Sequence, residues 1–372
     1  MKRRFAVLAA VLVAATPAVA AAPHVTARAY LVENGVSGDV LLASHARDRV
    51  AIASITKLMT VLVTVENATL DELVTVSPTA AAVGESGIGL RPGEQLSVLD
   101  LIKATLIQSA NDAAYALAEH VGGGDVEKFV AMMNSEAAVL GLRDTHFERP
   151  DGLDTPGHYS SARDVTRLAR NVMGIPVVRR IVRMRTDRIS GGRVLHTWND
   201  LLGRFPGLIG VKTGHTSLAG WSQVAAARGG GVTVYATLLG SPSRGRRNAD
   251  LVELLRYGLS RYRTIPVIQR SRVYVWLRAP YGRKALALVV PRRVLRLVRT
   301  DVPLLERVVA PEIVSLPVAK GQRLGEVRVY DRGRVIARSP LLASRAIVAP
   351  DLGGRVLWYA GRTLDHIWGW VT

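Results

Sequence analysis

Residues 53–60 read Ala53-Ser54-Ile55-Thr56-Lys57-Leu58-Met59-Thr60, and the apolar positions from Ile55 to Val65 recur at helical spacing. On a helix, positions i and i+3 share a face, so the Lys57 amine reaches the Ser54 hydroxyl. Serine is a weak nucleophile until a base stands beside it. An amine of ordinary pKa about 10.4 serves as that base only when its surroundings bring it down toward neutrality, which burial and a nearby second cation such as Lys212 both do. The chain holds 42 arginines and only 7 lysines, yet it keeps lysine here, where an arginine could not give up its proton.

A Ser-x-x-Lys string alone means little: with 20 Ser and 7 Lys it arises by chance in roughly two of five such chains. Ser109-Ala110-Asn111 is as common, whereas Lys212-Thr213-Gly214 is expected about once in thirty chains, and all three in this order well under once in a hundred. The set carries the signal. A serine nucleophile with its lysine, a Ser-x-Asn turn and a Lys-Thr-Gly strand is the trio of penicillin-binding proteins and class A β-lactamases.

The longer strings narrow this. Beside residues 53–60 stand Ser109-Ala110-Asn111-Asp112-Ala113-Ala114, Asp151-Gly152-Leu153-Asp154 with Tyr159-Ser160-Ser161-Ala162-Arg163-Asp164, and Gly210-Val211-Lys212-Thr213-Gly214-His215-Thr216. Through them the chain resembles, over nearly its whole mature length, the low-molecular-mass penicillin-binding proteins that are serine-type D-alanyl-D-alanine carboxypeptidases. The resemblance implies the penicillin-recognising serine transferase (β-lactamase-like) fold, with the site where helices meet the sheet.

In that family reading Ser54 is the nucleophile and Lys57 its base. Ser109 relays a proton to the leaving amine and Asn111 holds the substrate amide. The backbone N–H groups of Ser54 and His215 form the oxyanion hole. Lys212 and Thr213 offer a cation and a hydroxyl on a strand edge where a peptide can pair, and Gly214 allows close approach. Thr213 with an arginine suits a terminal carboxylate. Arg247 aligns with the family's carboxylate-binding arginine, with Arg244 and Arg246 as neighbouring candidates. The substrate implied is a peptidoglycan stem peptide, with β-lactam antibiotics as covalent inhibitors. An endopeptidase cutting peptide crosslinks shares the nucleophile and remains an alternative, as does a non-catalytic wall-binding scaffold. The class A β-lactamase deacylation element is missing, Glu148-Arg149-Pro150-Asp151-Gly152 standing in that loop. The segment Val50-Ala51-Ile52-Ala53 lacks the proline common there in relatives. The eight histidines are scattered without His-Glu-x-x-His spacing, so neither a metal nor any other cofactor is expected.

Pattern along the chain predicts an α+β domain, an antiparallel sheet with strands from both ends of the segment and a helical cluster between. Short apolar runs at 29–32 and 40–43 around Asn34-Gly35 predict an opening hairpin. Ser97 and Asp100 form a capping box for a helix that stops near Ser109. A second helix runs from Asn111 to Gly122–Gly124, and Asp125 caps a third that ends at Gly141. Asp164 orients a loop or, by preference, caps a helix through Met173. Leu208–Thr213, Trp221–Ala227 and Val232–Leu239 predict three antiparallel strands, and residues 250–262 a closing helix. From about Thr264, short β-rich runs punctuated by Pro and Gly predict a small all-β domain, with Lys320 to Gly325 and Ser339-Pro340-Leu341 as weak family marks.

Lys2, Arg3 and Arg4, an apolar run from Phe5 to about Ala15 and small residues at Ala18-Val19-Ala20 are the parts of a secretory signal, cleaved near Ala20 or Ala22. An exported chain without cysteine rests on packing alone. The expected order is a signal over 1–22, a catalytic domain over 23–262, a β-rich domain over 263–350 and a tail over 351–372. The formal charge is +19, and residues 263–372 hold 20 Lys and Arg against 7 Asp and Glu. That balance favours an anionic neighbour, lipid headgroups or wall polymer, or reflects an arginine-rich composition; the compartment argues against nucleic acid. In the tail, Leu357, Ala360, Leu364, Ile367, Trp368 and Val371 share one helical face. Such an amphipathic helix lies in a membrane interface without crossing it, or docks on the protein's own β-domain. The location implied is the outer face of the cytoplasmic membrane, held peripherally.

Overall fold

The computed structural model describes residues 5–12, 21–270 and 272–368. Two compact units emerge, Ala20–Ser260 and a second formed by Arg261–Thr372 with Met1–Val19.

The larger unit is built on a five-stranded antiparallel sheet of β1 (Ala29–Asn34), β2 (Val40–Ser44), β3 (Leu208–Thr216), β4 (Gly220–Gly229) and β5 (Val232–Ser241), in the order β2-β1-β5-β4-β3. The opening hairpin thus lies beside strands from the far end of the segment, as the sequence predicts. The connectivity leaves β3, which carries Lys-Thr-Gly, at the sheet edge with one side unpaired by any strand. Among the helices inserted between are α1 (Lys57–Asn67), α2 (Val98–Lys103), α3 (Asn111–Gly122), α4 (Val126–Val139) and α5 (Ala162–Val172); α6 (Arg244–Ser260) follows β5. One apolar core joins helices and sheet, with Leu58, Met59, Leu101, Leu117, Phe129 and Val224 almost fully buried.

Local chemistry sets the ends of these helices. The Asp125 carboxylate accepts from the N–H groups of Glu127 and Lys128 and so caps α4. Ser97 Oγ accepts from Asp100 N at 3.1 Å, but the Asp100 carboxylate does not return to Ser97. It accepts from Ser190 Oγ at 2.6 Å, so only half of the expected capping box forms. The cap of α5 is Ser161, whose Oγ accepts from Asp164 N. Asp164 is therefore no cap. Its carboxylate takes Asp144 N at 2.7 Å and Thr145 Oγ1 at 2.9 Å, tying down a loop twenty residues back. Helix α6 begins six residues before the predicted Asp250, and this brings Arg247 onto a helix.

The second unit is a small β domain around Leu277, Leu286, Leu288, Val327, Val329 and Leu341. Its strands are β6 (Tyr262–Ile268), β7 (Val275–Leu277), β8 (Leu286–Val289), β9 (Val294–Arg299), β10 (Leu304–Pro311), β11 (Arg323–Asp331) and β12 (Arg334–Ala343). The stretches of β9 and β10 escape the pattern reading. In β9 the apolar residues Leu295 and Leu297 are exposed, and in β10 Glu306 is buried, which blurs the alternation of an ordinary half-buried strand. Phe5–Leu12, the apolar run of the expected export signal, lies antiparallel to β10, with Phe5 opposite Pro311 and Leu12 opposite Leu304. The tail forms α7 (Leu352–Trp368). Residues 369–372, including Val371, lie outside the described residues, and among those described no helix is long and apolar enough to cross a membrane.

Candidate active site

The nucleophile motif is not one uninterrupted helix. Ala53–Thr56 forms a 3-10 turn that runs straight into α1, with Ala53 in the left-handed region at φ +50°. The i, i+3 relation survives this, and Lys57 Nζ lies 2.7 Å from Ser54 Oγ. Two further atoms hold the amine: Asn111 Oδ1 at 2.6 Å and the backbone oxygen of Asp151 at 2.8 Å. Both are pure acceptors, so they take the two N–H bonds of a neutral amine. Its lone pair is then left for the Ser54 hydroxyl to donate to.

Burial is what makes the neutral form accessible. Lys57 has no exposed surface, and its pKa falls from 10.5 to about 7, chiefly through desolvation; the Asp151 charge opposes this and Arg149 assists. Arg149 is a cation the sequence does not single out, and the repulsion between Lys57 and the buried Lys212 acts on both amines. Lys212 is itself pushed well below its ordinary value by burial, with repulsion from Lys57 and Arg247 added.

The second motif sits at the end of α2, which widens into a π-turn over Ala104–Gln108 and stops at Ser109 with φ +65°. That left-handed residue turns the chain into α3. Lys212 Nζ donates to Ser109 Oγ at 2.8 Å and to Thr213 O at 3.0 Å. The two hydroxyl–amine pairs, Ser54 with Lys57 and Ser109 with Lys212, therefore come from all three motifs. Asn111 spends its oxygen on Lys57 and one N–H of Nδ2 on Gly84 O at 2.9 Å, so its other N–H takes part in neither bond.

On the sheet side, β3 lies hard against the nucleophile turn. A side chain at Gly214 would put its Cβ 2.7 Å from Ile52 O and 3.2 Å from Ala53 Cβ, so only glycine permits this approach. Next to it, His215 is exposed and stacks on Trp221 with ring centroids 3.9 Å apart. Of the three arginines at the start of α6, Arg246 is exposed and Arg244 is clamped on Asp200. Arg247 is buried, its guanidinium 5.7 Å from the Trp221 ring centre. Its Nη2 bonds Asp200 and Asn248 and its Nε bonds Asn248, so Nη1 makes none of these contacts.

Several supporting groups have no side-chain signature in the sequence. Arg149 holds the Asp151 carboxylate at 2.6 and 2.8 Å, fixing the loop whose carbonyl oxygen meets Lys57. Buried His158 receives Glu148 N on Nδ1, so its Nε2–H donates to Thr56 Oγ1 at 2.7 Å; burial lowers its pKa to about 4 and keeps it neutral. Thr60 donates to Pro150 O at 2.5 Å. Without the upstream proline, the approach strand is pinned instead by Val50 and Ser160, which exchange both backbone hydrogen bonds at 2.9 and 3.0 Å.

The sequence profile of D-alanyl-D-alanine carboxypeptidases matches residues 16–243, which contain all three motifs. The chain belongs to the D-alanyl-D-alanine carboxypeptidase family. It is 32% identical over 333 residues to the D-alanyl-D-alanine carboxypeptidase DacF of Bacillus subtilis, covering 86% of this chain and 85% of that one. It is 31% identical over 368 residues to DacC of Escherichia coli, covering 93% and 90%. Among solved structures, penicillin-binding protein 5 of Haemophilus influenzae superposes with a TM-score of 0.65 at 28% identity, over 88% of this chain and 99% of that one. The DD-transpeptidase of Streptomyces K15 matches at a TM-score of 0.61 and 32% identity, over 64% of this chain and 98% of that one.

Proposed function

We propose that this serine-type D-Ala-D-Ala carboxypeptidase removes the terminal D-alanine of peptidoglycan stem peptides through an acyl-enzyme on Ser54. The observation that carries the reading is the buried Lys57 amine, whose two N–H bonds are taken by carbonyl oxygens and whose remaining valence faces Ser54 Oγ. Ser54 Oγ attacks the carbonyl carbon of the penultimate D-alanine, and its proton passes to Lys57 Nζ. The developing oxyanion is taken by the N–H groups of Ser54 and His215, an arrangement in which one donor is worth about 10²- to 10³-fold. The C–N bond then breaks, and the departing D-alanine nitrogen takes the proton that Lys57 Nζ received, relayed through the Ser109 hydroxyl that Lys212 holds, which leaves Lys57 neutral again. Water attacks the ester carbonyl and gives a proton to Lys57 Nζ, which passes it to Ser54 Oγ as the ester C–O bond breaks. Asn111 and Thr213 hold the peptide, Gly214 admits it to the edge of β3, and Arg247 with Thr213 receives the terminal carboxylate. A β-lactam follows the first half of this path and stays on Ser54.

The test is D-alanine release from diacetyl-L-lysyl-D-alanyl-D-alanine by protein lacking residues 1–22, wild type against Ser54→Ala. Release that persists in the variant overturns the Ser54 assignment. Release with no mass addition on Ser54 after penicillin treatment overturns the inhibitor reading.

We further propose that the chain is exported and held peripherally at the outer face of the cytoplasmic membrane by residues 351–372. Support comes from α7, where Leu352, Val356 and Leu357 are each at least 66% exposed although apolar. Trp358 and Tyr359 pack edge-on against Tyr281 of the β domain at 5.5 and 6.3 Å and Arg355 lies over the same ring, so the helix docks through these residues while Leu352, Val356 and Leu357 stay bare. Cosedimentation with anionic vesicles, lost on deleting residues 351–372, is the expected result.

A further inference from the structure

Beyond the end of β3 lies a cleft of about 360 Å³ that the proposed chemistry does not use. Its walls include Arg49, Ala51, Pro156, Tyr159 and Leu218. It joins the catalytic edge through Asp154, which accepts from Thr216 Oγ1 at 2.6 Å and from Leu218 N at 3.1 Å. These two bonds fasten the chain leaving β3 to the loop that follows Asp151.

The direction of a bound peptide follows from where the charges lie. Of the groups suited to a terminal carboxylate, Lys212 and Thr213 precede His215, the proposed oxyanion N–H, on the strand, while Arg247 lies beside Trp221 and couples electrostatically to Lys212. A peptide pairing along β3 with its carboxylate at the Lys212 end must run its acyl side toward Thr216 and into the cleft. At roughly 3.3 Å per residue, Thr216 is about 7 Å beyond Gly214, two residues of extended peptide.

Arg49 is the polar feature of that cleft. It is exposed, stacks its guanidinium 5.0 Å from the Tyr159 ring centre and donates one long bond, 3.4 Å, to Arg143 O. No carboxylate pairs with it among the described residues. The acids nearby are otherwise engaged, Asp154 as above and Glu148 with His146 at 3.0 Å. Buried His158, which also lines the cleft, is held neutral by its burial.

We propose that this cleft is an acyl-side subsite for the stem peptide, in which Arg49 binds a carboxylate carried two or three residues upstream of the scissile bond and Tyr159 and Leu218 cover the intervening chain. The proposal rests on the carboxypeptidase reading. It makes the enzyme selective for longer acidic stem peptides over short neutral ones, through KM and not through kcat.

Two peptides test it, diacetyl-L-lysyl-D-alanyl-D-alanine and L-alanyl-γ-D-glutamyl-L-lysyl-D-alanyl-D-alanine, the second bearing a free carboxylate on its glutamyl residue. Wild type should show a KM for the pentapeptide about tenfold lower, as one charge-assisted hydrogen bond allows. Arg49→Ala should remove that advantage and leave the short peptide unchanged, and Arg49→Lys should restore part of it. Leu218→Glu, which sets a carboxylate on the rim, should mimic Arg49→Ala without touching the arginine. Equal KM values in wild type, or equal losses on both peptides in Arg49→Ala, overturn the subsite. Calorimetric affinities of Ser54→Ala for the same two peptides, with and without Arg49→Ala, need no turnover. A tenfold affinity difference there, together with no D-alanine release by the wild type, would therefore support the cleft while sinking the catalytic reading. Equal affinities would sink the cleft alone.

Discussion

Lys57 Nζ sits 2.6 Å from Asn111 Oδ1, and the neutrality of that amide helps keep the lysine a base. With a pKa of about 7, Lys57 is mostly protonated below neutrality and mostly free above it. A base must be free, so log kcat/KM should rise with unit slope from pH 5 and level off above about 7. Asn111→Asp keeps the shape but places a negative charge on the amine, which favours the ammonium and raises the Lys57 pKa. Its acid limb should move alkaline by a unit or more, read from kcat/KM against pH between 5 and 10. An unmoved limb would mean that another group sets the profile.

Ser109 combines a hydroxyl that Lys212 holds with a backbone at φ +65°. Ser109→Gly suits that backbone better than the native residue and removes only the hydroxyl. Thermal stability should stay within a few degrees, while kcat for D-alanine release falls by about 10²-fold or more, the usual share of a positioned proton carrier. Rapid-quench measurement of penicillin acylation should show a comparable loss, because breaking the lactam also delivers a proton to nitrogen.

Gly152 shows how tightly the loop is fitted to the nucleophile turn. Its φ is +83°, and a Cβ there would stand 2.1 Å from Ala53 O and 2.7 Å from Thr56 Oγ1. Gly152→Ala must move the loop, the turn or both, displacing the Asp151 oxygen from Lys57. A stability loss of about 2 kcal/mol or more is expected by chemical denaturation, together with a fall in kcat. Wild-type stability in this variant would contradict the fit.

The legible part of the site was its side chains. Ser54, Lys57, Ser109, Asn111 and Lys212 are chemically specific, and their order along the chain carried the fold with them. The supports were opaque for definable reasons. The Asp151 contact to Lys57 is made by a backbone oxygen, which every residue possesses, across 94 positions. The choice of Ser161 over Asp164 as a cap turned on which side chain reached a free N–H, and Asp164 was drawn away by Asp144 and Thr145. The early start of α6 was hidden because Arg244, Gly245, Arg246 and Arg247 show no apolar periodicity; their helix is tied to Asp200 by ion pairs. In the β domain, a buried Glu306 paired with Arg272 at 3.0 Å broke the alternation that marks a strand.

Asp200 is the residue that decides where Arg247 points. It accepts from Arg244 at 2.7 and 2.5 Å, from Arg247 Nη2 at 3.0 Å and from Asn248 Nδ2 at 2.9 Å, and these bonds, Arg244's first, hold its pKa near 2. Arg247 is buried and stays charged, since burial lowers it only to about 10. A substrate carboxylate at Arg247 needs the guanidinium held in one orientation, and Asp200 supplies the hold from the side away from Nη1. Asp200→Asn keeps the shape and removes the charge. The pair is partly solvated, so the loss is about 1 kcal/mol, or five- to tenfold in KM for a peptide ending in a free carboxylate. The kcat should stay within about twofold, because Asp200 touches no reacting atom. A peptide ending in D-alanine amide has no carboxylate to place, and its KM should be the same for wild type and variant. Because Asp200 remains ionised far below pH 5, the KM ratio should be flat from pH 5 to 9. A fall in kcat on both peptides would instead mean that Asp200 merely stabilises the loop and has no part in aiming Arg247.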